Sequence, residues 1–158
     1  MPKLVRQKAA SHGYGVFCCE AINKDTHVLT MSGKVLDASE VTDDMRAMQI
    51  GPQSYLVEDI AEGDDGSQDC YLDNYLNHSC EPNVGFTEGD LRLFSLREIA
   101  QGQELLWDYS TSMNETGWSL PCFCGSASCR GRIESHDALA PEQQAKLRPI
   151  VLNYLREK

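Results

Sequence analysis

The first third of the chain alternates short apolar runs with turns. Leu4-Val5, Gly13-Tyr14-Gly15-Val16-Phe17, His27-Val28-Leu29-Thr30 and Lys34-Val35-Leu36 are each too short for a helix, which predicts strands. Tyr55-Leu56-Val57 repeats the pattern, and Val84-Gly85-Phe86-Thr87 and Leu91-Arg92-Leu93-Phe94-Ser95 flank Glu88-Gly89-Asp90 as a hairpin would. Two stretches have a helical period instead. Val41, Met45 and Met48 recur at i, i+4 and i+7 between a candidate cap, Ser39, and a stop, Gly51-Pro52, which predicts a short helix. From Pro141 to Glu157 glycine disappears, and Leu147, Ile150, Val151, Tyr154 and Leu155 share one helical face. Pro141 suits a helix start and Pro149 a helix interior poorly, so a helix kinked or restarted near Pro149 is expected. Its apolar face should pack on the domain or on a second subunit. Many short strands with little helix point to a compact, mostly β fold.

Composition sharpens this. At 158 residues, 41% hydrophobic and without a low-complexity tract, the chain is the size of one domain with a real core. No apolar run approaches the roughly 18 residues of a membrane span. Met1-Pro2-Lys3-Leu4-Val5-Arg6 lacks the apolar region of a signal peptide, so an intracellular place, nuclear or cytoplasmic, is expected. The formal charge of -10 is local: residues 37 to 73 hold eleven acids against one base, Arg46, while the remaining thirteen acids and thirteen bases cancel. Such a stretch repels phosphate backbones and attracts lysine- and arginine-rich protein segments, or is simply a solvated loop. Direct binding to nucleic acid or membrane is not expected, and oligomeric state is not readable.

Seven cysteines are an odd count, and three of them fall in Cys122-Phe123-Cys124-Gly125-Ser126-Ala127-Ser128-Cys129. Reduced thiols that bind metal fit this better than a disulfide scaffold. Three thiols do not close a structural zinc site, which normally takes four protein ligands. Spacing alone leaves the fourth open among Cys18, Cys19, Cys70, Cys80, His78 and His136. The glycosylation-like triplets Asn77-His78-Ser79 and Asn114-Glu115-Thr116 read as chance matches in an intracellular protein.

Asn77-His78-Ser79-Cys80, Glu104-Leu105-Leu106-Trp107-Asp108-Tyr109 and Cys122 to Gly131 together resemble the SET-domain protein lysine methyltransferases with their zinc-binding post-SET tail, over about residues 5 to 134. The resemblance implies the β-clip fold of several small sheets with a knot-like crossing, followed by the zinc tail and a C-terminal helix. It places a SET domain at 1–118, the post-SET segment at 119–134 and a helical extension at 135–158. It makes Cys80 the fourth zinc ligand beside Cys122, Cys124 and Cys129, leaving Cys18, Cys19 and Cys70 as small buried residues. It assigns contacts with S-adenosylmethionine (SAM) to Gly13, Tyr14, Gly15, Tyr55, Tyr75, Asn77 and His78, catalysis to Tyr109, and the lysine channel to Met31 and Trp107. Asp108 and Glu104 would hold their segment against that of Asn77. The substrate would be a lysine of a basic protein segment such as a histone tail.

That chemistry is methyl transfer to an amine that is protonated in water, with a pKa of about 10.4. An apolar aromatic channel and the cofactor's sulfonium both disfavour the ammonium form, so no strong general base is required. The chain departs from the usual family pattern at three places, one of them a pair of residues. Asn74 and Tyr75 stand where an arginine and a phenylalanine are frequent, Met31 where a channel tyrosine is frequent, and Trp107 where phenylalanine or tyrosine is tied to the number of methyl groups added. The two channel departures, Met31 and Trp107, are the warrant for an alternative, a SET-fold module that binds SAM and basic peptides with little or no turnover. A zinc-dependent nucleic-acid binder is disfavoured by the charge.

Overall fold

A computed structural model describes residues 1–9 and 13–157, and among these the chain forms five small sheets and little helix. Strands β1 (Leu4–Lys8) and β2 (Tyr14–Cys18) pair antiparallel. Strand β3 (His27–Thr30) leads to β4 (Lys34–Asp37), which forms a second sheet with β5 (Ala47–Gln49) and β6 (Ser54–Val57) in the order β4-β6-β5. A 3-10 segment, Asp69–Tyr75, precedes β7 (Asn77–His78). Strands β8 (Val84–Gly85) and β9 (Arg92–Ser95) form the expected hairpin, with Gly89 at φ +78° in its turn, and β3 adds to the free edge of β9. Strand β10 (Leu106–Trp107) lies parallel to β7, and β11 (Ser119–Pro121) pairs with β12 (Arg132–Glu134).

The main core gathers the inward residues of these strands, with Val16, Val28, Phe86, Leu93, Ile99 and Leu105 fully buried. Burial of this kind contributes about 1.5–3 kcal/mol per large side chain. It lets strands of two to five residues hold together although none would stand alone.

The helix expected after Ser39 is absent. Only one 3-10 turn, Ala38–Glu40, forms; its cap is Asp37, whose carboxylate accepts the Ser39 N–H while Glu40 accepts the Asp37 N–H. The chain then turns extended at Val41, and Ala47–Gln49 pairs with β6 instead. Local side-chain bonding competes with helix here: Thr42 Oγ1 donates to Asp44 Oδ1 at 2.5 Å. A lone helix of three turns is costly to nucleate, whereas β6 offers a ready ladder.

At the other end the restart near Pro149 is present. Helix α1 (Pro141–Leu147) gives way to a 3-10 turn, Arg148–Ile150, and α2 (Asn153–Arg156) follows. Leu147, Val151 and Leu155 bury against Leu139, while Leu152 enters the main core. The extension therefore packs on its own chain, tied by Leu152 N–H to Thr111 O at 3.0 Å and Phe86 N–H to Ile150 O at 3.2 Å. No helix among the described residues is long and apolar enough to cross a membrane.

Candidate active site and metal centre

Two distant segments meet side by side at β7 and β10. Asn83 stitches them, its Nδ2 donating to Glu104 O at 2.7 Å and its Oδ1 accepting the Leu106 N–H at 2.8 Å. Asn77 Nδ2 donates to Glu104 Oε1 at 2.8 Å and to Tyr14 O at 2.9 Å, so the Gly13-Tyr14-Gly15 turn joins the same corner. Gly15 cannot be exchanged freely, because a Cβ there would collide with Glu104 Oε1. Gly13 has φ +42° and open space where a Cβ would stand, which leaves backbone accessible to a ligand. Tyr14 and Tyr75 meet edge to face at 6.3 Å, and Arg6 lies 4.5 and 4.8 Å from their ring centres. These residues form one open polar-aromatic corner.

Tyr109 sits directly after β10, in a 3-10 turn capped by Asp108. Its N–H donates to His78 Nδ1 at 3.1 Å and its hydroxyl to Leu76 O at 3.0 Å. Burial holds the His78 imidazole down at about 4, so the ring is neutral. Its Nδ1 is then an acceptor, and the 3.7 Å approach to Asp108 is no ion pair. Burial, and next the Glu104 carboxylate, push the Tyr109 phenol up to about 12, so it stays a hydroxyl at ordinary pH. Trp107 stacks against it at 4.8 Å, tilted, and is itself braced by Phe86 at 5.5 Å.

A cavity of about 400 Å³ opens over Tyr109 and Trp107, with Met31, Leu56, Leu76 and Met113 as apolar walls. Met45 and Met48, expected on a helix, line it from the β5 side, and Trp118 and Leu120 from the β11 side. Its polar lining includes Glu58, Asp73 and Arg46. Asp73 is tied to Ser32, whose N–H donates to it at 2.6 Å, yet burial raises its pKa. Arg46 approaches Glu58 only at 3.9 Å and is largely exposed. A long apolar chain ending in an amine fits such a space.

Cys80, Cys122, Cys124 and Cys129 converge, their sulfurs all within 4.8 Å of one another, the one such group of potential metal ligands among the described residues. Four thiols at this spacing suit tetrahedral zinc. Burial pushes the Cys80 and Cys122 thiols up, which is the state a cation would reverse. His78 Nε2 lies 3.4 Å from Cys80 Sγ and acts as a donor to that sulfur. The other candidates lie elsewhere: Cys18 donates to Ala100 O, and His136 meets Ser110 O. Cys18 is buried as expected, but Cys19 is half-buried and Cys70 exposed.

Tyr55 is the expected site residue that this corner does not gather. Along β6 side chains alternate, so Leu56 faces the cavity while Tyr55 turns away and donates to Glu115 Oε1 at 2.5 Å. Sequence reasoning missed the reverse cases, Leu76, Met113, Trp118 and Asp73, whose residue types carry no motif. It also missed Arg130, which pairs with Asp108 through two hydrogen bonds of 2.7 and 2.9 Å. Its position directly after the last clustered cysteine was the available signal.

A sequence profile of the SET domain matches residues 13–110. Human histone-lysine N-methyltransferase 2B is 33% identical over 133 residues, covering 78% of this chain and 5% of that protein. Histone-lysine N-methyltransferase ash1 of Drosophila melanogaster is 29% identical over 143 residues, covering 84% of this chain and 6% of that protein. The chain thus spans a small fraction of these relatives. Among solved structures, KRYPTONITE in complex with mCHH DNA, an H3(1-15) peptide and SAH matches with TM-score 0.62 and 25% identity over 85% of this chain and 30% of that one. The methyltransferase domain of human SETMAR matches in fold, with TM-score 0.61 and 24% identity over 85% of this chain and 59% of that one.

Proposed function

The chain belongs to the SET-domain family, and on that premise we propose that it is a SAM-dependent protein lysine N-methyltransferase acting on a basic protein segment of the histone-tail kind, in the nucleus. The observation that carries this is Tyr109, a protonated phenol lining an apolar cavity, fixed to the segment that bears Asn77 and His78. In this reading Gly13, Tyr14, Gly15, Tyr75, Asn77 and His78 form the cofactor corner, and Met31 and Trp107 line the lysine channel. Cys80, Cys122, Cys124 and Cys129 hold one zinc ion that fastens the tail beside the site. Tyr55 supports the sheet behind the channel through Glu115.

When bound, SAM supplies a methyl group on an electrophilic sulfonium. The chain's residues do the rest. Glu58 and Asp73 draw the lysine ammonium to the cavity. Met31, Leu56, Leu76, Trp107 and Met113 remove it from bulk water, which lowers its pKa from about 10.4, so that the ammonium gives its proton to solvent at the cavity mouth. Tyr109 cannot serve as the base, since its own proton is held more tightly than the lysine's. It donates to the Leu76 carbonyl, and its oxygen orients the amine and the methyl group in line.

Transfer of labelled methyl from SAM to a panel of histones and basic peptides tests this, with Tyr109→Phe alongside. Label on lysine, falling about 100-fold in the variant while SAM affinity stays within a few-fold, is the expected result. SAM binding with no transfer to any lysine would replace the reading with that of a binding module.

A further inference from the structure

Resting on the methyltransferase reading, we infer that Arg130 is the positioning residue through which the cysteine-bound tail sets the geometry of Tyr109. The tail is then part of the catalytic framework.

Asp108 precedes Tyr109 and its carboxylate is completely buried. That anion has three donors: Arg130 Nη1 at 2.7 Å, Arg130 Nη2 at 2.9 Å and the Ser110 N–H at 3.0 Å. Arg130 Nη2 also reaches Ser110 Oγ at 3.3 Å, so one guanidinium grips both neighbours of the tyrosine. The same arginine follows Cys129, and its backbone N–H donates to Cys80 Sγ at 3.4 Å. Its Nε is buried without a hydrogen-bond partner among the described residues. A cation is accepted there with one donor unsatisfied, which indicates that its terminal nitrogens are placed by Asp108.

The physics of a buried pair makes this a coupling. A fully buried carboxylate deprived of its cation must turn toward another donor or open to water. Either response moves the Asp108 to Ser110 turn, and Tyr109 is its middle residue. The turn has further ties, His78 Nδ1 on the tyrosine N–H, Leu76 O on its hydroxyl, the Ser112 and Met113 N–H groups on its carbonyl and Thr111 on the Asp108 carbonyl, and the Asp108 carboxylate is the tie through which the tail reaches it. Undocking the tail removes Arg130 and so removes that tie from the turn.

The test uses the full chain labelled with 15N-tyrosine, the Tyr109 amide peak being identified by its loss in Tyr109→Phe. Wild type, Arg130→Ala and Arg130→Lys are compared zinc-saturated and after chelation, with zinc content measured. Chelation should move the Tyr109 peak in wild type. In Arg130→Ala it should already lie displaced with one zinc bound, and Arg130→Lys, which keeps the charge but not the fork, should lie between. In the same samples kcat should fall about 100-fold for Arg130→Ala with KM for SAM changed only a few-fold. A wild-type Tyr109 peak and kcat within about twofold in zinc-loaded Arg130→Ala would overturn the inference. Loss of zinc from both variants would also overturn it, by assigning the arginine to the metal site alone. If wild type transferred no methyl, the methyltransferase reading would fail, while the amide peak would still decide the coupling.

Discussion

The crossing of residues 77–83 with 104–113 and the stretch of residues 37–73 are both rich in polar side chains, and they use them in opposite ways. At the crossing Ser79, Asn83, Asp108, Ser110, Thr111 and Ser112 are buried. Several of their partners are far along the chain: Ser110 Oγ donates to Glu134 O at 2.6 Å and Ser112 Oγ to Gln49 O at 2.5 Å. In the acidic stretch Asp37, Asp65 and Asp64 bond to near neighbours, Ser39, Ser67 and Gln68. Asp73, tied to Ser32, reaches farther along the chain, and with Glu58 it lines the cavity. A buried network fails when one member is lost, because each orphaned group costs about 1–3 kcal/mol. A solvated charge field fails only in sum, and salt screens it over about 8 Å.

Single changes should therefore be severe at the crossing and its zinc tail and mild in the acidic stretch. The largest effect is expected from Cys80→Ser. A structural zinc contributes on the order of 10 kcal/mol of apparent folding free energy, so this variant should lose the metal and much of its thermal stability. One zinc per chain retained in the variant, by metal analysis, would remove Cys80 from the ligand set.

An intermediate effect concerns pH. The transfer rate should rise between about pH 7 and 10 as the lysine amine loses its proton. Tyr109 contributes no falling limb there, because its pKa is pushed up to about 12. The stability it adds has the matching sign: fully present below the unfolded phenol's pKa of about 10, and lost as pH rises through the folded value. A rate that peaked near neutral pH and fell by about pH 9, with the fold intact, would put an ionising group with an ordinary pKa in Tyr109's role.

The smallest effect per residue is expected in the acidic stretch. Neutralising Glu62, Asp64 and Asp65 together should raise KM for basic peptides several-fold at low salt and little near 0.15 M ionic strength. Unchanged KM at low salt would leave the stretch a solvated loop.

The same contrast explains what the sequence disclosed. The strands were legible because apolar pairs bounded by turns have few other uses, and the restart at Pro149 because proline removes a donor. The metal tail was legible as a ligand spacing, although its fourth member came only from the family resemblance. Three things were hidden. Val41, Met45 and Met48 have helical spacing, but β6 claims Met48 as a strand residue and the cavity claims Met45 and Met48. Tyr55 is expected beside the cofactor, and what its residue type does not disclose is the bond of its hydroxyl to Glu115, set by the alternation of β6. Asp108 and Glu104 are expected to fasten their segment to that of Asn77; Glu104 does so together with Asn83, while the Asp108 carboxylate holds Arg130. The Asp108–Arg130 pairing spans 22 residues and depends on how the tail docks, which no local pattern encodes.

The central claim is that the crossing performs the chemistry and the acidic stretch only recruits. The most direct measurement is kcat and KM for labelled methyl transfer from SAM to a histone peptide at low and near-physiological salt. Wild type, Tyr109→Phe and the variant neutralised at Glu62, Asp64 and Asp65 would be compared. The account predicts a kcat loss of about 100-fold with unaltered salt dependence for the tyrosine variant, and a salt-dependent KM change at constant kcat for the acidic one. Equal kcat in wild type and Tyr109→Phe, or a kcat loss in the acidic variant as large as the tyrosine's, would contradict it.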